Sequence, residues 1–149
     1  MAEAAEERRV MGIDYGERRI GIAVSDPSAM IAAPAGFIAR RRGKRVPVNE
    51  IVVRARELGV RELVLGLPLD GEGNETERTA EVRALAQELE KRTGLPTRLV
   101  DERFTTATAL RAVREMGGST RGRKGDVDSL AAAVLLQYAL DSARRASQP

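Results

Sequence analysis

Residues 10–26 read VMGIDYGERRIGIAVSD. Two short apolar runs, 10–13 and 20–24, flank the polar stretch Tyr15, Gly16, Glu17, Arg18 and Arg19. Aliphatic runs bounded by a glycine-containing polar turn predict a β-hairpin. Its first strand, 10–14, ends in the acid Asp14, and its second, 19–25, ends just before Asp26. A carboxylate at a strand end beside a glycine can hold a metal or approach a phosphate. Asp and Gly also serve there as plain turn formers. The hairpin alone leaves both roles open.

Working outward, residues 31–39 form a third extended segment, antiparallel to the second. The cationic run RRRGKR follows at 40–45; such a run is a solvated turn or a phosphate contact. Pro47 suits a helix start. Val48, Ile51, Val52, Ala55 and Leu58 then recur at helical spacing up to Gly59. ELVLG at 62–66 is a short buried strand, followed by a loop through Asn74. A helix over 77–93 carries Val82, Leu85, Ala86 and Leu89 on one face, with Gly94 as its C-terminal cap. A strand at 97–101 runs into Glu102 and Arg103. Thr105 or Thr106 can cap a third helix containing Ala109, Leu110 and Val113. GGSTRGRKG at 117–125 reads as a mobile basic loop. The last helix spans 127–144 and is apolar on every side over 130–136. Residues 1–9 read as a flexible leader, 10–144 as one domain and 145–149 as a flexible tail. No internal repeat or linker is visible. The order β-β-β-α-β-α-β-α-α predicts an α/β fold: a mixed five-stranded sheet, three antiparallel strands then two parallel, with helices on both faces.

Composition narrows the chemistry. The chain has 149 residues, no Cys and no His. Disulfides, thiolate sites, the usual zinc ligand and the usual general base are therefore absent. Acid–base or metal chemistry falls to carboxylates, Lys, Tyr or water, a ligand set that suits Mg²⁺ or Mn²⁺. Net charge is +3, and Lys occurs only at Lys44, Lys91 and Lys124 among 25 basic residues. Arg binds phosphate bidentately and stacks on bases, so the balance favours nucleic acid, though codon composition alone can enrich Arg. No apolar run approaches the roughly 18 residues of a membrane span, and the acidic start MAEAAEERR is not a signal peptide. A cytoplasmic protein with no membrane partner is the expectation.

In such a sheet, sites form at the carboxyl ends of the parallel strands. Asp14 ends the first strand and Glu102 follows the last, which puts both on one rim. Asp128 lies at the start of a helix otherwise made of Ala, Val and Leu, with Asp126 the better N-cap. The helix dipole alone can account for an acid there. If the helix crosses the rim, however, Asp128 meets the other two. Three converging carboxylates repel one another, and a divalent metal resolves the repulsion while activating water.

Four blocks, IDYGERRIGIAVSD at 13–26, GLP at 66–68, VDERFTT at 100–106 and KGDVDSLAAAVLL at 124–136, resemble in order those of the YqgF family, also called RuvX. That family is ribonuclease H-like and related to the RuvC resolvases. The resemblance implies a ribonuclease H-like fold, with Asp14, Glu102 and Asp128 as catalytic residues and as ligands of Mg²⁺ or Mn²⁺. It implies nuclease action on precursor 16S ribosomal RNA at its 5′ end, on RNA alone or on the assembling small ribosomal subunit. Arg19, Arg103, Arg123 and Lys124 are the candidate phosphate contacts. RuvC-type enzymes typically carry a fourth acid one helical turn after the third; here that position is Ala131, with Asp126 the nearest substitute, so occupancy by one ion or two stays open. Holliday junction resolution on DNA is the alternative activity. No dimer surface is evident, so a monomer or weak dimer is expected, whereas resolution needs a two-fold pair of sites. A non-catalytic nucleic-acid binder is the alternative from another class. The same hairpin also serves as a phosphate loop in sugar kinases and actin-like ATPases. Those clamp nucleotide between two such domains, and this chain has length for one.

Overall fold

The strand that opens the hairpin lies at the centre of the sheet. β1 (Val10–Tyr15) pairs antiparallel with β2 (Arg19–Ser25) and parallel with β4 (Glu62–Leu67). β3 (Ala32–Ala39) lies outside β2, and β5 (Thr97–Asp101) lies parallel outside β4, giving the order β3-β2-β1-β4-β5. A computed structural model of the chain describes residues 7–40, 45–106 and 124–147. The mixed sheet expected from the element order is the one observed. β1 runs one residue further than the expected strand 10–14, to Tyr15, because the phenol side chain is itself buried.

Alternation along the strands sends side chains to two separate cores. Met11, Ile13, Ile20, Ile22, Leu63 and Leu65 face α1 (Val48–Leu58) and α2 (Glu77–Thr93). α1 starts after Pro47, and both helices stop at a left-handed glycine, Gly59 with φ 67° and Gly94 with φ 70°. On the other face Val10, Ala23 and Val64 pack against Ala132, Ala133, Leu136, Ala139 and Leu140 of α3 (Lys124–Ser147). Gly12 allows this helix to approach: a Cβ there would stand 2.8 Å from Leu136 Cβ and 3.2 Å from the Ala132 carbonyl.

α3 begins three residues before its expected start and continues to Ser147, into the segment read as a tail. Asp126 accordingly lies inside its first turn rather than at its N-cap. An acid is favourable anywhere in that turn, so it does not mark the boundary. Leu130 is 44% exposed, so the apolar segment is buried on most of its circumference but not all. After β5 the chain makes a single 3-10 turn, Glu102–Phe104, closed by the Thr105 N–H donating to the Glu102 carbonyl at 3.2 Å. The third helix expected beyond Thr106 and most of the basic loop at 117–125 lie outside the described residues.

Candidate active site

Asp14 is the fifth residue of β1 and 1% exposed. Alternation puts it on the α3 side, in line with Val10 and Gly12. Its partner across the hairpin is Gly21. On the parallel side Ile13 pairs with Leu65, so the next position along is Gly66. Asp14 is therefore flanked on both neighbouring strands by residues without side chains. Each glycine seats another acid-bearing residue. A Cβ at Gly21 would overlap the backbone carbonyl of Asp128, and a Cβ at Gly66 would overlap Oε2 of Glu102. Glycine inside a strand marks such close approaches. The three acids predicted from sequence thus stand over one rung of the sheet, on one face, and all are buried, Glu102 at 6% and Asp128 at 0% exposure.

Arg19 and Ser129 fix the position of Asp128. Arg19 donates from Nε to its Oδ2 at 2.6 Å. Ser129, the next residue, enters an irregularity in the β2–β3 ladder between Gly21 and Ala23. Its Oγ donates to the Ile22 carbonyl and accepts from the Gly36 N–H, both at 3.0 Å. The helix start is thereby stitched into the sheet at the bulge. Sequence reading missed Ser129. Its signal was a hydroxyl directly after an acid in a helix of Ala and Leu.

The remaining predicted contacts are placed differently. Arg103 forks onto Asp101, with Nη2 2.8 Å from Oδ2 and Nε 3.1 Å from Oδ1, and holds that carboxyl below the usual carboxylate range. Its guanidinium also lies against Gly73 in the β4–α2 loop. Arg123 lies outside the described residues, as do 41–44 of the cationic run; Lys124 is the first residue of α3. Arg40 is described: it donates to the Gly16 carbonyl at 2.8 Å and stacks 4.6 Å above the Tyr15 ring. A cleft of about 470 Å³ opens here, lined by Glu17, Arg18, Arg19, Phe37, Ala39 and Arg40. Arg19 thus belongs both to the cleft wall and to the acid cluster.

The sequence profile of the family described as "RuvX: Holliday junction resolvase" matches residues 8–142. The chain belongs to the RuvX family. A relative from Clavibacter michiganensis subsp. michiganensis, named "Putative pre-16S rRNA nuclease", is 39% identical over 139 residues, covering 93% of this chain and 86% of its own. One of the same name from Anaeromyxobacter sp. is 41% identical over 133 residues, covering 89% and 96%. Among solved structures, T. thermophilus RuvC in complex with a Holliday junction substrate aligns with a TM-score of 0.52 at 16% identity, over 91% of this chain and 96% of that chain. That likeness is one of fold, and it matches the ribonuclease H-like architecture expected for a RuvX chain.

Whether a divalent ion suits this RuvX site can be tested on the donor set. Three carboxylates supply hard oxygens only, as Mg²⁺ and Mn²⁺ prefer. The glycines at 21 and 66 let the Asp128 backbone and the Glu102 carboxylate close onto the sheet on either side of Asp14, where a Cβ would clash. Among the described residues, no three acidic side chains are grouped tightly enough to hold an ion as they stand. Arg19 engages one oxygen of Asp128. The donors fit in type and in rung; holding one ion requires the three carboxylates to close in from where they stand.

Proposed function

We propose that this chain is a cytoplasmic, divalent-metal-dependent nuclease that hydrolyses phosphodiesters of precursor 16S ribosomal RNA at the 5′ end. The observation carrying this reading is the rung Gly21–Asp14–Gly66, with Asp128 over one glycine and Glu102 over the other. The names of the relatives supply the RNA. Asp14, Glu102 and Asp128 would hold Mg²⁺ or Mn²⁺. When bound, the ion supplies Lewis acidity and a water of lowered pKa. Arg19 orients Asp128 in its absence and, once released, presents its guanidinium to the scissile phosphate from the cleft wall. Arg18 and Arg40 hold flanking phosphates, with salt-dependent affinity. Ser129 keeps the start of α3 in register with the sheet.

The test is cleavage of a labelled precursor 16S 5′ leader, free and on assembling small subunits, with Mn²⁺, Mg²⁺ or EDTA. Wild type should cut only with metal. Asp14→Asn should retain the fold and lose cutting. Metal-dependent cutting retained by Asp14→Asn removes Asp14 from the mechanism. Absence of cutting by wild type on every substrate assigns the chain to non-catalytic binding. The family's description favours one second reading, Holliday junction resolution. It requires paired cuts on a four-way DNA junction by a two-fold dimer, and a protein sedimenting only as a monomer with junction present rules it out.

A further inference from the structure

The cleft beside Arg19 carries an aromatic ring that the proposed chemistry does not use. Phe37 is directly opposite Gly21 on β3, and Gly21 is directly opposite Asp14. Residues directly opposite each other in antiparallel strands share a face, so Phe37 projects on the same side as Asp14. Two inter-strand steps separate them, about 10 Å at the usual strand spacing. Its neighbour Ile38 turns into the α1–α2 core, whereas Phe37 is 42% exposed and, among the described residues, belongs to none of the hydrophobic core clusters. Among the described residues the cleft wall around the ring is cationic: Arg18, Arg19 and Arg40 against the acid Glu17, which faces Arg78 at 3.5 Å. Arg40 is held in place by its stack on Tyr15 and its bond to the Gly16 carbonyl.

A half-exposed ring among guanidinium groups, on the rung of the acids, suits a particular ligand. We infer that Phe37 is a stacking platform for an unpaired base, so that the cleft receives a single-stranded segment next to the bond to be cut. In a duplex both faces of a base are covered by its neighbours, and only the backbone could meet this surface. An unpaired base offers a free π-face whatever its identity, while Arg18 and Arg40 take the adjoining phosphates. The inference rests on the nuclease reading for the bond that lies ten ångströms or so away, on the strand spacing given above.

Binding and cutting separate the two. In EDTA, fluorescence anisotropy would follow labelled oligouridylate, oligothymidylate and a blunt oligouridylate–oligoadenylate duplex of equal length. Phe37→Ala should weaken both single strands about tenfold and leave the duplex within about twofold. Phe37→Trp should restore the single-strand affinity. Because Phe37 is outside the core, both variants should melt with wild type by circular dichroism. Unchanged single-strand affinity in Phe37→Ala overturns the inference, as does an equal loss on duplex. A loss confined to RNA or to DNA places the contact on the sugar and overturns it too. A wild-type dimer that Phe37→Ala converts to monomer, with RNA affinity intact, assigns the ring to a second copy. Phe37-dependent binding without metal-dependent cutting sustains the platform and removes the nuclease reading. Cutting without Phe37 dependence does the reverse.

Discussion

Gly21 and Gly66 flank Asp14, and they should respond differently to the same methyl group. At Gly21 the added carbon meets the carbonyl and then the backbone nitrogen of the Asp128–Ser129 segment, none of which can swing aside. Gly21→Ala should lose about 3 kcal/mol in urea denaturation, at the upper end of overpacking costs. At Gly66 it meets the ends of two flexible side chains, Glu102 Oε2 and Leu135 Cδ2. Gly66→Ala should lose only about 1 kcal/mol but cut roughly a hundredfold more slowly, since it displaces a carboxylate by about an ångström. Similar losses of stability at both positions would contradict this account. Arg19→Ala should destabilise the metal-free protein by about 1–3 kcal/mol, because a buried carboxylate loses a charged donor. Added Mn²⁺ should then raise the melting temperature of Arg19→Ala more than that of wild type. The acids themselves were legible in the sequence because carboxylates at strand ends and helix starts are local features. The glycine seats were not, because Gly66 depends on the parallel β1–β4 register and Gly21 on where α3 crosses β2, and no short stretch encodes either.

At the scale of elements, boundaries marked by backbone chemistry were legible and those set by tertiary contact were not. Gly59 and Gly94 end α1 and α2 where left-handed caps were expected. The placement of α3 is decided by contacts across more than a hundred residues of chain. On the β2–β3 side it hydrogen-bonds the sheet through Ser129 at the bulge and through Gln137, which accepts from the Ala32 N–H at 2.9 Å and donates to the Met30 carbonyl at 3.0 Å. Eight residues apart, these are about two helical turns, so they fix the pitch of α3 over β2 and β3. α2 is tied down at its start instead. Thr76 and Thr79 form a reciprocal cap, and the Thr79 hydroxyl also donates to the Pro68 carbonyl of the Gly66–Pro68 block. Thr79→Val keeps the shape and removes both links. It should cost about 1–2 kcal/mol in urea, with a smaller effect on cutting than Gly66→Ala.

For the whole molecule, titration sets the limits of stability. Asp26 is held well below the usual carboxylate range by the Ser28 hydroxyl and the Ile31 and Met30 N–H groups. Asp70 is lowered by the Asn74 and Glu72 N–H groups, and Asp101 by Arg103. Unfolded, these carboxyls bind protons near 3.8, so the native state binds fewer. Their contribution is complete above about pH 5 and disappears as pH falls through the native values. Tyr15 behaves oppositely: burial raises its phenol above 10.0, so its contribution is complete below that value and is lost as pH climbs past it. Urea midpoints against pH should show both limbs, and Asp26→Asn should flatten the acid one. Nucleic-acid affinity should fall linearly on a log–log plot against salt, with a slope about one unit shallower in Arg18→Ala. The order of elements sufficed to read the sheet topology, since crossover rules leave few alternatives. Neither the cleft nor its ring could be read that way, because Phe37 earns its position from pairing with Gly21. Assembly order has one more consequence. α3 supplies both Asp128 and apolar cover for one sheet face, so a chain halted on the ribosome before Lys124 holds Asp14 and Glu102 without the third acid. If Asp128 acts as proposed, ribosome-tethered chains halted before Lys124 should therefore leave RNA intact, and an enzyme directed at ribosomal RNA should stay harmless to the particle making it until α3 has emerged.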